Sequence, residues 1–266
     1  MNTYFFAPQY PISTDSSLIR MHIWEYLLLF LTPFIGGIPA FYLGDKKPKL
    51  VRFIMLFNGA FILGVVLVQL LPDLFAKGSH YTGLWMLLGF ALQLLLEEWS
   101  GGVEHGHVHS HGKKTGWLAF SIMLGLCLHA LIEGLPLGGY RTFIESFAEK
   151  NGNDQFYHLL MSITVHNIPA AFALTSFLLM SGIKKVSTAL LLLVFAAMSP
   201  LAAFFAQFFF QDPEVLHILL SIVTGNLLQI GSTILFENDA HTSHHFSWGK
   251  WLALLLGFAL SAIHFH

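Results

Sequence analysis

The chain has 266 residues, of which 55% are hydrophobic and only 11% charged, against about 25% charged in an ordinary soluble domain. That composition excludes a water-soluble globular protein and predicts an all-α polytopic membrane protein. A formal net charge of −2 without a basic patch offers nucleic acid no surface, and a lone cysteine, Cys127, rules out an intramolecular disulfide.

The opening residues, MNTYFFAPQYPISTDSS, are polar and proline-bearing and lack the basic and apolar regions of a signal peptide. Eight apolar runs follow, approximately Trp24–Leu43, Phe53–Leu71, Leu84–Leu96, Gly116–Leu137, His158–Ser181, Val186–Phe210, Val215–Phe236 and Trp248–Ile263. Each is read as a spanning helix, the third with Tyr81 and Trp99 as its interfacial ends. An even number of spans puts both termini on one side of the membrane.

Basic residues choose that side. Loops after the odd-numbered runs hold Lys46, Lys47, Lys49, Arg52, Lys113, Lys114, Lys184, Lys185 and Lys250, whereas the opposite set holds Arg20, Lys77, Arg141 and Lys150. Nine against four makes the first set cytoplasmic and both termini external. The expectation is one transmembrane domain over residues 1–266, with cytoplasmic histidine-bearing loops at about 100–115 and 238–247. The chain holds no N-x-[ST] glycosylation site, which favours a bacterial inner membrane over a plasma or organelle membrane.

Several runs carry helix-interrupting or small residues: Pro33, Gly36, Gly37 and Pro39, then Asn58, Gly59 and Gly64, then Pro200, then Gly225, Asn226 and Gly231. Small residues allow close helix approach. The amides Gln69, Gln93, Asn226 and Gln229 either line a pathway or bond between helices.

The fourth and fifth runs carry the chemistry. They place His129, Glu133, His166 and Asn167 within apolar sequence, where an ionisable side chain costs about 2.5–3.5 kcal/mol to insert and marks a functional site. His129 and Glu133 are four apart and share one helix face, about 6 Å apart along the axis. His166 and Asn167 are adjacent, so they point about 100° apart, one toward the partner helix and the other at the cleft's edge. Imidazole, imidazole and carboxylate suit Zn²⁺ and its first-row neighbours better than Mg²⁺ or Ca²⁺. Pro136 and Pro169 free the carbonyls of Ile132 and Val165, each just before a proposed ligand, and predict local loosening of both helices.

Outside this core, Glu104–His111 reads EHGHVHSH, and its His105, His107, His109 and His111 form one loop cluster. His241, His244 and His245 form a second. Both are expected to collect or sense an ion at the cytoplasmic side, against the plainer reading of solvated polar loops. Asp73, Glu97, Glu98 and Glu237 lie near the expected mouths, where acidic charge concentrates cations; an ordinary solvated helix end is the plainer alternative.

These motifs resemble the ZIP metal transporters, which import zinc and related divalent cations into the cytosol. The likeness runs along essentially the whole chain. HALIEG (His129–Gly134) resembles the family's H-x-x-x-E-G, and HNIPAAFAL its second metal-binding helix. Phe57–Asp73 and Gly89–Glu98 are similar to its second and third spans, the latter followed by a histidine-rich loop.

The resemblance implies eight helices in an inverted three-two-three arrangement and alternating access through a site between spans four and five. It maps the first metal site onto His129, Glu133, His166 and Asn167. It does not carry a second site: Ala130 replaces the usual Asn or Ser, and Ala170 and Ser199 stand where Glu can occur. One ion is therefore expected, held by His129, Glu133 and His166 with Asn167 at the margin.

The divalent ion is the substrate, the bilayer is the surrounding partner, no organic cofactor is implied, and a homodimer is left open. The expectation is not an enzyme. An intramembrane zinc hydrolase needs a general base beyond the ligands, and no HExxH helix is present. A sensor that binds without moving ions is the remaining alternative, while a diffusion-facilitator exporter would have six spans. Because ligands must be deprotonated, affinity should fall on acidification.

Overall fold

A computed structural model describes residues 21–43, 48–77, 80–100, 115–145, 152–240 and 248–263. The described residues are helical apart from short connections and contain no strand. The helices are α1 (Ile23–Leu43), α2 (Pro48–Val65), α3 (Leu71–Lys77), α4 (Thr82–Ser100), α5 (Thr115–Glu145), α6 (Gly152–Met180), α7 (Lys185–Phe209), α8 (Pro213–Ala240) and α9 (Trp248–Ser261). Six segments among them are long and apolar enough to cross a membrane: Ile23–Tyr42, Arg52–Ala76, Gly116–Arg141, Phe156–Met180, Lys185–Phe209 and Pro213–Phe236. The chain is a multi-pass membrane protein. The two remaining apolar runs are helical as well, but α9 has only 14 residues and Gln93, Glu97 and Glu98 dilute the apolar character of α4.

One column departs from α-helical geometry. Between α2 and α3, Val66–Leu70 forms a π turn, and the Leu71 N–H reaches the carbonyl of Val66. Pro72 follows at once; it has no N–H to donate and its ring crowds the carbonyl four residues back, so a wider turn relieves the clash. The other prolines do not act this way. Pro33, Pro39, Pro136, Pro169 and Pro200 all lie inside uninterrupted helices, so the loosening expected around Pro136 and Pro169 does not break α5 or α6. Tight packing by neighbours holds these turns in place.

The helices pack as two sets. In one, α1 lies along α6 and α5 along α7, with α1 also touching α7; in the other, α4 lies along α8 and α2 along α9, with α2 touching α8. Lesser contacts, α5 on α4 and α8 and α6 on α2, join the sets. Glycine explains the closeness within each set. A Cβ on Gly36 would lie 1.9 Å from the Ile168 carbonyl oxygen, one on Gly134 2.3 Å from that of Ser199, and one on Gly225 1.9 Å from that of Met86. These contacts join α1 to α6, α5 to α7 and α8 to α4, and Gly257 on α9 meets Phe57 of α2 in the same way. Backbones touch there with no side chain between them.

α5 continues past the expected end at Leu137 to Glu145, so Arg141 lies on a helix and is not a loop cation. Its guanidinium binds Glu25 at the start of α1, with Nη2–Oε1 at 2.6 Å and Nη1–Oε2 at 3.2 Å. Glu25 Oε2 also accepts the His22 N–H at 2.6 Å, and Arg141 stacks 4.3 Å above the Phe156 ring of α6. This buried pair fastens three helices of one set at one end.

Candidate metal centre

The bundle interior holds two apolar clusters. One includes Leu137 and Ile163, the other Leu126, Ala130 and Ala170. His129, Glu133 and His166 fall between these along α5 and α6, and all three are at most 1% exposed.

Their ligand atoms converge. One helical turn brings His129 Nε2 to 3.4 Å from Glu133 Oε1. From α6, His166 Nε2 comes to 3.2 Å from His129 Nε2, with the two rings nearly perpendicular at 88°. The three ligand atoms lie within 4.8 Å of one another, and they form the grouping able to hold a metal ion among the described residues. Two donors each about 2.0 Å from one tetrahedral zinc lie about 3.3 Å apart, close to both observed separations. Asn167, the neighbour of His166, is also buried, and its Oδ1 has no hydrogen-bond partner among the described residues.

Outer contacts fix both rings. His129 Nδ1 lies 3.0 Å from Gln93 Oε1 on α4, and His166 Nδ1 lies 3.2 Å from Asn58 Nδ2 on α2. Metal-ligating histidines commonly donate their second ring N–H to an acceptor; the Gln93 oxygen is such an acceptor for His129, whereas Asn58 presents its amide nitrogen to His166. The histidines belong to one helix set and the amides to the other. Sequence reasoning left the role of Gln93 open and treated Asn58 as a helix interruption; their signal is an uncharged amide in the middle of an apolar run.

The positions where a second ion's ligands could stand are occupied differently. Ser199 Oγ donates to the Ala130 carbonyl at 3.0 Å, joining α7 to α5, and Ala130 and Ala170 are both buried in the apolar cluster. Of the expected mouth residues, Asp73 is half-buried in the first turn of α3 and Glu98 is exposed on α4. Glu97 accepts from Gln229 Nε2 at 2.5 Å, so Gln229 bonds α8 to α4. The Glu237 side chain and His105, His107, His109, His111, His241, His244 and His245 lie outside the described residues.

Residues 100–264, well over half of the chain, match the family model described as ZIP Zinc transporter. Among curated proteins, Zinc transporter ZIP9-B of Xenopus laevis is 28% identical over 46% of this chain and 38% of its own length. Zinc transporter ZIP9 of Micropogonias undulatus is 29% identical over 46% and 37%. The chain thus spans under two fifths of the length of these relatives. Zinc transporter ZIP1 of Danio rerio matches at 24% identity over 88% of this chain and 93% of its own. With a family match of that extent over helices that carry the buried His–Glu–His cluster, the chain belongs to the ZIP family.

Proposed function

We propose that this protein transports a divalent transition-metal cation, zinc foremost, through the site formed by His129, Glu133 and His166. The observation that carries this reading is the convergence of two imidazoles and one carboxylate, all buried, on helices crossing the apolar interior. The family's zinc transporters give the ion its class. Imidazole nitrogens replace part of the hydration shell that the ion loses in a buried site, and Glu133 offsets one of its two charges. A carboxylate count of one leaves the bound ion with residual positive charge in a low-dielectric site, which favours release. One ion per chain follows.

The finer picture is an importer of eight spans in the inverted arrangement, both termini outside, working by alternating access. The ligands stand on one helix set and their supporting amides on the other, so a shift of one set against the other would open the site to one face and then the opposite one. The histidine loops at about 100–115 and 238–247 and the acids Asp73, Glu97, Glu98 and Glu237 would serve the two mouths. Import, the number of spans, and the inner membrane of a bacterium as the location are parts of this proposal.

The test is zinc flux into vesicles containing the purified chain and an internal zinc-sensitive dye. Wild type should raise the signal, and His129→Ala and Glu133→Ala should abolish it while remaining folded. Full flux by both variants would overturn the assignment, and tight binding without flux would identify a sensor.

A further inference from the structure

Among the described residues, the second helix set buries five side-chain amides, and four of them are engaged. Asn58 and Gln93 lie against the histidine rings, Gln69 donates to the Ser261 carbonyl of α9, and Gln229 donates to Glu97. Asn226, on α8, is the exception. It is 0% exposed, yet neither its Oδ1 nor its Nδ2 has a hydrogen-bond partner among the described residues. A buried amide that forgoes both kinds of hydrogen bond is costly, and such a group calls for a water or an ion to complete it.

Helix register sets this amide at the height of the metal ligands. α5 and α7 run parallel, with Gly134 against Ser199 and Gly138 against Ala203. α8 turns back directly after α7, so it is antiparallel to α5. A Cβ on Gly139 of α5 would lie 2.2 Å from the Leu216 side chain of α8. From that contact His129 is ten residues back along α5 and Asn226 ten residues on along α8, a travel of about 15 Å in the same direction.

A second count, on a different pair of helices, agrees. α4 and α8 run parallel, with Gly89 against the Ile222 carbonyl and, farther along, Glu97 against Gln229. Four residues beyond Gly89 stands Gln93, and four beyond Ile222 stands Asn226. Gln93 is the residue whose oxygen lies 3.0 Å from His129.

The neighbours of Asn226 on its own helix give its direction. One turn to either side on the same face are Val223 and Ile230. Both belong to the buried cluster that includes Leu137 of α5 and Ile163 of α6. Asn226 therefore faces inward, toward the two helices that carry His129, Glu133 and His166.

Three protein ligands leave one position of a tetrahedral zinc to water. A water kept there in a buried site needs polar partners of its own, and an amide at the same height with its carbonyl unengaged can accept from it. We propose that Asn226 is a further positioning residue of the cation site, holding through its amide the water that the ion retains in its fourth position. The inference rests on the transport-site reading above and gives α8 a part in it, so that the ion is held from both helix sets.

The test uses full-length protein in lipid nanodiscs and Co²⁺, whose visible absorption reports the donors around it. Asn226→Leu should bind Co²⁺ about 10-fold more weakly than wild type and alter the absorption spectrum. The unfolding midpoint of its metal-free form should equal or exceed that of wild type, because an unpartnered amide has gone. Asn226→Asp, which keeps an acceptor, should bind more tightly than the leucine variant. Wild-type affinity and spectrum in Asn226→Leu overturn the proposal, and so does a lowered metal-free midpoint with the spectrum unchanged, the result for an amide that serves helix packing alone. His129→Ala separates this inference from the reading beneath it. Co²⁺ bound equally by wild type and His129→Ala overturns both, whereas Co²⁺ lost in His129→Ala and untouched by Asn226→Leu overturns the role of Asn226 and leaves the transport site standing.

Discussion

His129 Nε2 and His166 Nε2 face one another across 3.2 Å, one from α5 and one from α6, with their rings nearly perpendicular. A single ion can take both nitrogens with little movement of either helix, and Glu133 Oε1 already lies 3.4 Å from the first of them. Removing one donor from a three-donor site should therefore be felt directly. His129→Ala and Glu133→Gln should each lower zinc affinity at least about 10-fold, read by competition with a calibrated chelator. Affinities equal to wild type would place the ion elsewhere.

The number of bound ions is a separate matter. Ser199 Oγ is engaged by the Ala130 carbonyl, and Ala170 is packed among apolar side chains, so neither position adds a charged donor. Elemental analysis of metal-loaded, dialysed protein should find one zinc per chain. Two tightly held ions would contradict the reading of these positions.

Helix contact makes a prediction that does not involve metal. Gly134→Ala would set a Cβ 2.3 Å from the Ser199 carbonyl oxygen, a backbone atom that cannot rotate aside. The cost should be about 1–3 kcal/mol, seen as a lower unfolding midpoint in detergent. Gly116 on the same helix has nothing within 4 Å of its would-be Cβ, so Gly116→Ala should be neutral or slightly stabilising.

Arg141 and Glu25 are nearly inaccessible, and each satisfies the other. Arg141→Met should destabilise by about 3–5 kcal/mol because it strands a buried carboxylate. Adding Glu25→Leu to that variant should recover much of the loss. Thermal unfolding of the two single variants and the double variant measures the coupling; a double variant whose loss equals the sum of the two single losses would show that the pair is not what matters.

Much of this was legible from residue spacing. A four-residue separation fixes His129 and Glu133 on one face of any helix, and length and apolarity announce the spans. The partners on other helices were not legible. Asn58 and Gln93 are 108 and 36 residues away from the histidines they contact, and nothing local distinguishes them from Asn226, an equally buried amide. Arg141 was misread for a related reason: its burial depends on Glu25, 116 residues away. Prolines were the other weak point. The expectation of loosened helices at Pro136 and Pro169 treated the helix as isolated, whereas the non-α turn lies at Val66–Leu70, ahead of Pro72.

The glycine contacts have a further consequence. Where two backbones meet at a glycine there is no side chain to change rotamer, so the contact has one arrangement or none. The glycines named above lie within the helix sets, and the histidine–amide hydrogen bonds run between them. Conformational choice is thus unevenly shared. It is scarce along the α1–α6, α5–α7, α4–α8 and α2–α9 contacts, whereas the contacts from one set to the histidines of the other are made by side chains, which have rotamers to choose from. A cation held by His129 and His166, as proposed, would sit against those side-chain contacts and not against the fixed backbone ones.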